Sequence, residues 1–238
     1  MRQKTDGFGL VEWMIGLVIG SCLLALAGRY HVSISQHAHQ TQQLSAQTMD
    51  RLMITDLIRT SIQQAGFTPC GAIEKLNITP TIRPIETQSN LLKIARMSEY
   101  FSIATHMENT HHLLVENDIP FKAGETVLIA DCFQAEIQTI QSIHHDKQRT
   151  ELLFKTPLHQ SYLPPIYIGE WLQERFFIQN TPQGKTALYY QLQQAEVLSE
   201  HVQSMSIAWQ HLSPNRLIQI TLQGDKGGSW LIDAAPRA

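Results

Sequence analysis

Few residues of this chain stand where they could do chemistry. Glu12 is the most exposed to that question, because it is the only charged residue in the apolar 21-residue run from Phe8 to Gly28. A carboxylate in hydrocarbon costs at least about 2.5 kcal/mol on insertion scales. Glu12 therefore asks for a partner, and nothing nearby in the chain supplies one. Eleven histidines raise metal ligation, with His37 and His39 two apart and His111–His112 and His144–His145 adjacent. Residues two apart on a helix point to different faces, and no cysteine or acidic pair stands at ligand spacing. The histidines read as solvated surface, and no metal or other cofactor is expected. Glu170 and Glu174 read as surface charges rather than an acid–base pair. No Gly-x-Ser-x-Gly, His-Glu-x-x-His or Walker glycine loop occurs, so the residues give an enzyme no support.

Glu12 takes its meaning from the element that must hold it. As a helix, Phe8 to Gly28 is roughly 31 Å long, about the hydrocarbon thickness of a bilayer, which predicts a transmembrane span. Arg2, Lys4 and the start amine precede it against Asp6 alone. That balance keeps the short N-terminus in the cytoplasm and exports the rest. In an oxidising compartment Cys22, inside the apolar run, has no use as a bridge partner. Cys70 and Cys132 remain as an even pair and are expected to be bonded, two reduced buried thiols being the alternative. The net charge of −3, with no polybasic run, argues against direct nucleic-acid binding.

Between Arg29 and Ala65 there is neither glycine nor proline, so one helix is predicted from Gly9 to about Gln64, roughly 84 Å long. Its stretch from Ser33 to Thr48 is polar, whereas Ile54, Leu57, Ile58, Ile62 and Ala65 recur on one face and need a surface to cover them. Gly66 and then Pro69 form a stop signal. Beyond Cys70, short alternating runs predict strands at Leu91–Ala95, Leu113–Glu116, Thr126–Asp131, Glu136–Ile143, Glu151–Lys155, Arg175–Gln179, Ala187–Leu192, Met205–Trp209, Ile218–Leu222 and Trp230–Asp233. Asn180–Gly184 and Asp225–Gly228 read as hairpin turns. The expected class is α+β, a long N-terminal helix packed on an antiparallel β-rich head. The divisions are a leader at 1–7, a membrane segment at 8–28, a helical continuation at 29–66 and a head at 67–238.

The N-terminal residues resemble the type IV prepilins and type II secretion pseudopilins. The resemblance lies in the charged leader ending at Gly7, then Phe8, Gly9-Leu10-Val11, Glu12 and the unbroken apolar helix from Trp13. It implies that a prepilin peptidase cuts between Gly7 and Phe8, that the new amine of Phe8 is methylated, and that Glu12 meets the amine of an adjacent subunit as a register device. Gly9, where the family often has Thr or Ser, and the bulky Trp13 depart from the pattern without touching the cleavage pair or the glutamate. Asp50 to Cys70, Val127 to Cys132 and the segment from Leu188 to Ile207 resemble PilW-type minor pilins and the related J-type pseudopilins.

That resemblance implies the type IV pilin fold and a low-abundance subunit in a tip or priming complex. Its partners would be other minor pilins, the major pilin, an inner-membrane assembly platform and a cytoplasmic ATPase. The helix would sit in the inner membrane with the head in the periplasm, and at the pilus after assembly. The calcium sites of some pseudopilins are not carried over, since no acid-rich loop is present. A J-type minor pseudopilin of a type II secretion system is the alternative subunit, and three other readings of the N-terminus stay open. A secretory signal peptide would be cut after Ala25-Leu26-Ala27, a signal anchor would not be cut at all, and a membrane-tethered binding domain would act alone. Gly16 and Gly20 are spaced for close helix contact, a weak signal.

Overall fold

The computed structural model describes residues 9–79, 82–116, 119–145, 149–212, 215–225 and 227–236. The chain forms two compact units, Met1–Met53 and Ile54–Ala238. One helix, α1 (Leu10–Gln63), begins in the first and ends in the second. The second unit starts inside α1 rather than at its end because Ile54, Ile58 and Ile62, at four-residue steps, are each at most 2 % exposed within that unit's core. Burying each contributes about 1.5–3 kcal/mol. The helix stops at Gly66, whose φ of +67° suits glycine. A Cβ there would also stand 3.0 Å from Pro84 and 3.1 Å from Ile73, and the Gly66 N–H donates to the Ala95 carbonyl at 2.9 Å.

Fifteen strands follow: β1 (Phe67–Thr68), β2 (Gly71–Ala72), β3 (Asn77–Thr79), β4 (Ile85–Gln88), β5 (Leu91–Asn109), β6 (His112–Glu116), β7 (Thr126–Ala130), β8 (Gln134–His145), β9 (Arg149–Phe154), β10 (Ile166–Asn180), β11 (Thr186–Gln191), β12 (Ala195–Ser199), β13 (Val202–Leu212), β14 (Asn215–Gly224) and β15 (Ser229–Ala234). A 3-10 turn, Ile73–Lys75, lies between β2 and β3. The class is thus α+β, and every strand pair is antiparallel except β3 with β8.

Two long strands organise the unit. β5 and β10 pair from Ala104↔Ile166 to Leu91↔Phe177, with a bulge between Gly169 and Trp171. In one half, β4, β5, β10, β11 and β12 form a sheet. Its apolar residues Leu92, Ile94, Phe176 and Leu188 share one core with the α1 isoleucines and with the separate sheet β13–β14–β15. The alternation along β14 explains its part, since Ile218, Ile220 and Leu222 are fully buried. In the other half the pairings β5–β6–β9–β8–β7–β10 return to β5 and close a six-stranded barrel. Its interior is filled by side chains such as Leu113, Val127, Ile129, Phe154 and Ile168.

The barrel also has a covered outer face. Leu128 and Ala130 of β7 point away from the interior and pack with Ile73 and Ala135 under the segment that follows α1. This is why β7 is one continuous apolar run rather than an alternating one. A disulfide fastens that segment: Cys70, in the β1–β2 turn, is bonded to Cys132, between β7 and β8, with a Cα–Cα distance of 5.1 Å and a sequence separation of 62.

Closing such a loop restricts the unfolded chain, and removing the closure with Cys70→Ser and Cys132→Ser together is expected to lower stability by about 2–4 kcal/mol. Urea unfolding of the oxidised chain against the double variant measures this. A difference under about 0.5 kcal/mol would show that the β1–β2 segment holds its place without the bond.

Each sequence-predicted strand overlaps an observed one, with Asp131, Lys155 and Leu192 falling one residue past the ends of β7, β9 and β11, but β5 and β10 are much longer than their predicted cores. Their extra residues include Arg96, Ser98, Glu99, Gly169, Glu170 and Glu174, which break apolar alternation and hid the extensions. β4 and β12 are short, polar edge strands with no apolar run to announce them. Both predicted hairpin turns are present, with Gly184 at φ +79° and Gly227 at φ +76°.

Candidate functional site

The first unit presents an unusual surface. Glu12 lies in the first turn of α1, where the unpaired N–H groups of a helix favour negative charge. Its side chain, and the residues Gly7 and Phe8 on which cleavage is expected, lie outside the described residues. From Trp13 to Leu24 the apolar side chains face outward: Trp13 is 68 % exposed, Leu17 67 % and Leu24 76 %. Large apolar side chains left open over three turns require a covering partner, lipid or protein. Around Gly16 and Gly20 a Cβ would meet no atom within 4 Å. Among the described residues no helix is long and apolar enough to cross a membrane. The predicted span Phe8 to Gly28 reaches beyond them, since Phe8 and the side chains of Leu10–Glu12 and of Ala25–Ala27 fall outside. Cys22 is free and exposed.

Among the described residues the head holds three buried carboxylates, and each is already occupied. Glu174 of β10 accepts from Ser61 Oγ of α1 at 2.5 Å and from Arg96 Nε of β5 at 2.9 Å, and its side chain is 3 % exposed. The expectation that Glu174 is a surface charge is therefore corrected. It shares a strand face with Phe176, which points into the core, and it ties the helix to two strands. The Glu174 charge and, more strongly, burial push the Tyr190 hydroxyl upward from its ordinary pKa, with Arg96 opposing.

Asp131, beside Cys132, accepts from the Phe133 and Gln134 N–H groups through Oδ1 and from the Leu163 N–H through Oδ2. Glu136 accepts from the His159 N–H at 2.9 Å and from Gln138 Nε2 at 2.6 Å, with His159 Nδ1 2.8 Å away and the Tyr162 hydroxyl at 3.4 Å. Tyr162 is held well above its ordinary pKa by burial first and then by the Glu136 charge. Together these carboxylates pin the 155–165 loop to the barrel. Having spent their lone pairs on backbone and neighbouring donors, they are placed to hold structure rather than to move protons.

No charge run or spacing announced these three residues. The partners of Glu174 lie far away in sequence, 113 residues for Ser61 and 78 for Arg96. The usable signal was a carboxylate in phase with core residues, as Glu174 is with Phe176. The side chains of His37 and His39 lie outside the described residues, and among the described histidines His112 Nδ1 meets Glu151 at 2.5 Å and His201 Nδ1 meets Asp225 at 3.2 Å. Among the described residues no three histidine, cysteine, aspartate or glutamate side chains converge as a metal site would require. Glu170, which is half-buried, is raised above the usual carboxylate range by burial and then by Glu125, with Lys122 opposing.

Residues 2–28 match the family model described as the prokaryotic N-terminal methylation motif. The motif is of prepilin type and supports a type IV pilin or pseudopilin. No curated protein and no solved structure matches the chain.

Proposed function

We propose that this chain is a minor pilin, a structural and non-catalytic subunit of a type IV pilus tip or priming complex. The observation that carries the reading is the methylation motif over residues 2–28 leading into a single 54-residue helix. In this reading prepilin peptidase cuts between Gly7 and Phe8 and the freed amine of Phe8 is methylated. The amine of one subunit then meets Glu12 of its neighbour in the low dielectric of packed helices, where opposite charges attract most strongly. The outward apolar side chains from Trp13 to Leu24 support it, since bilayer and filament core are both environments that would cover them.

The head suits the same role. The last turns of α1 packed on an antiparallel sheet agree with a type IV pilin fold, and the added barrel makes the head bulky. A bulky head is easier to place at a tip, where one side has no neighbour, than at every repeat of a shaft. The partners are other minor pilins, the major pilin and the inner-membrane platform, with the head in the periplasm before assembly.

The deciding test is the N-terminal mass and sequence of the mature protein extracted from membranes. The expected result is an N-methylated Phe8. A start at Gly28 would identify an exported protein released by signal peptidase, and an intact Met1 in a strain with active prepilin peptidase would identify a signal anchor. Either would overturn the proposal.

A further inference from the structure

β10 carries an uncovered stretch in the middle of a sheet. On one side it pairs with β5 continuously through this region. On the other side it pairs with β7 from Tyr167 to Glu170 and with β11 from Arg175 to Asn180. Among the described residues no strand pairs with Trp171–Glu174 on that side. In an antiparallel ladder alternate residues direct both N–H and C=O to the same side, so two of these four residues direct backbone donors and acceptors into the gap, where no strand among the described residues pairs with them. The gap opens into a cleft of about 880 Å³ lined by Glu125 and Thr126 at the start of β7 and by Leu192 and Gln193 just past β11. Four strand residues span roughly 13 Å, enough for a short extended segment.

The acidic side chains of the cleft specify what the segment carries. Trp171 lines this cleft with part of its ring, is only 8 % exposed, and its enclosed indole N–H has no acceptor among the described residues. Glu125 and Glu170 both face the cleft and its neighbour of about 470 Å³. Burial first and then the Glu125 charge raise Glu170, and Lys122 offsets them only in part. An incoming lysine or arginine would remove the repulsion and gain two counter-charges.

The geometry points to a strand-docking notch: the gap between β7 and β11 takes a short, extended, basic peptide segment of another protein by pairing it with β10 at Trp171–Glu174. Backbone pairing supplies the attachment, and Glu125 with Glu170 supplies the preference for positive side chains.

The test uses the full chain in detergent and the blocked peptide Val-Lys-Val-Arg flanked by Gly-Ser, followed by amide hydrogen exchange and fluorescence titration. The amides of the 171–174 stretch are expected to gain at least about tenfold protection on peptide addition. A peptide with both basic residues replaced by glutamate, and an N-methylated basic peptide, are each expected to bind at least about tenfold more weakly. The Glu125→Gln/Glu170→Gln chain should lose about tenfold affinity for the basic peptide while keeping its affinity for a Val-Thr-Val-Thr control. Amides already protected in the free chain would mean that this chain covers its own edge. Protection that rises with protein concentration alone would assign the notch to a second copy. Equal binding of basic and acidic peptides would remove the charge preference, and any of these three results overturns the inference.

Discussion

Replacing Glu174 by alanine is expected to destabilise the head by about 3–5 kcal/mol, the range found when one partner of a buried ion pair is removed. The Arg96 side chain, 15 % exposed and 2.9 Å from Glu174, would keep its charge with no counter-ion at hand, and the buried Ser61 hydroxyl would lose its acceptor. Glu174→Gln keeps an oxygen for Ser61 but not the charge for Arg96, and is expected to fall between alanine and the native residue. Glu170→Ala on the same strand, at the cleft mouth, is expected to change stability by less than about 1 kcal/mol. Urea unfolding of the three variants separates the cases. If Glu174→Ala fell within about 1 kcal/mol of the native chain, water must reach Arg96 and the cluster would not be what fixes α1 on the sheet.

That cluster also shows where sequence reasoning reaches and where it stops. The apolar phase of Ile54, Ile58 and Ile62 and the stop at Gly66 are local properties of a helix, and they were legible because helical spacing brings residues four apart onto one face. The strands of β14 and β15 were legible for the same reason at a period of two. Barrel closure was not, because it depends on β5 and β10 pairing across 60 or more residues and then parting to serve two sheets. Residue type says which side of a strand is buried. It says little about which strand lies alongside, and least where polar residues such as Ser98, Glu99 and Glu170 interrupt the alternation.

The N-terminal signal is legible for a different reason. Glu12 conflicts with its own surroundings, an apolar run with one charge, and a local conflict that persists marks a site with a function. The Glu174 conflict is resolved inside its own chain by Arg96 and Ser61. The charge at Glu12 has no such resolution in the apolar sequence around it, which is what directs attention to a second molecule.

Glu12→Ala is therefore expected to leave processing at Gly7–Phe8 intact and to abolish entry into filaments. The substitution removes a charge from the apolar helix, so insertion and cleavage gain if they change at all. In the proposed filament, what is lost is the reason for one subunit to settle at a fixed offset from the next. A pairing that relieves at least about 2.5 kcal/mol of intramembrane charge penalty corresponds to roughly a seventyfold bias in partition between bilayer and filament. Loss of that bias, with the amine of the neighbouring Phe8 also left unpaired, should lower the subunit in sheared filaments by more than about tenfold. Glu12→Asp retains the charge on a shorter arm and should recover part of it. The measurement is an immunoblot of sheared filaments alongside the N-terminal mass of the membrane pool. Native incorporation of a cleaved Glu12→Ala chain would mean that Glu12 has no part in assembly. An uncleaved chain absent from filaments would instead place Glu12 in recognition by the peptidase, and the register role would have to be sought among the outward side chains between Trp13 and Leu24.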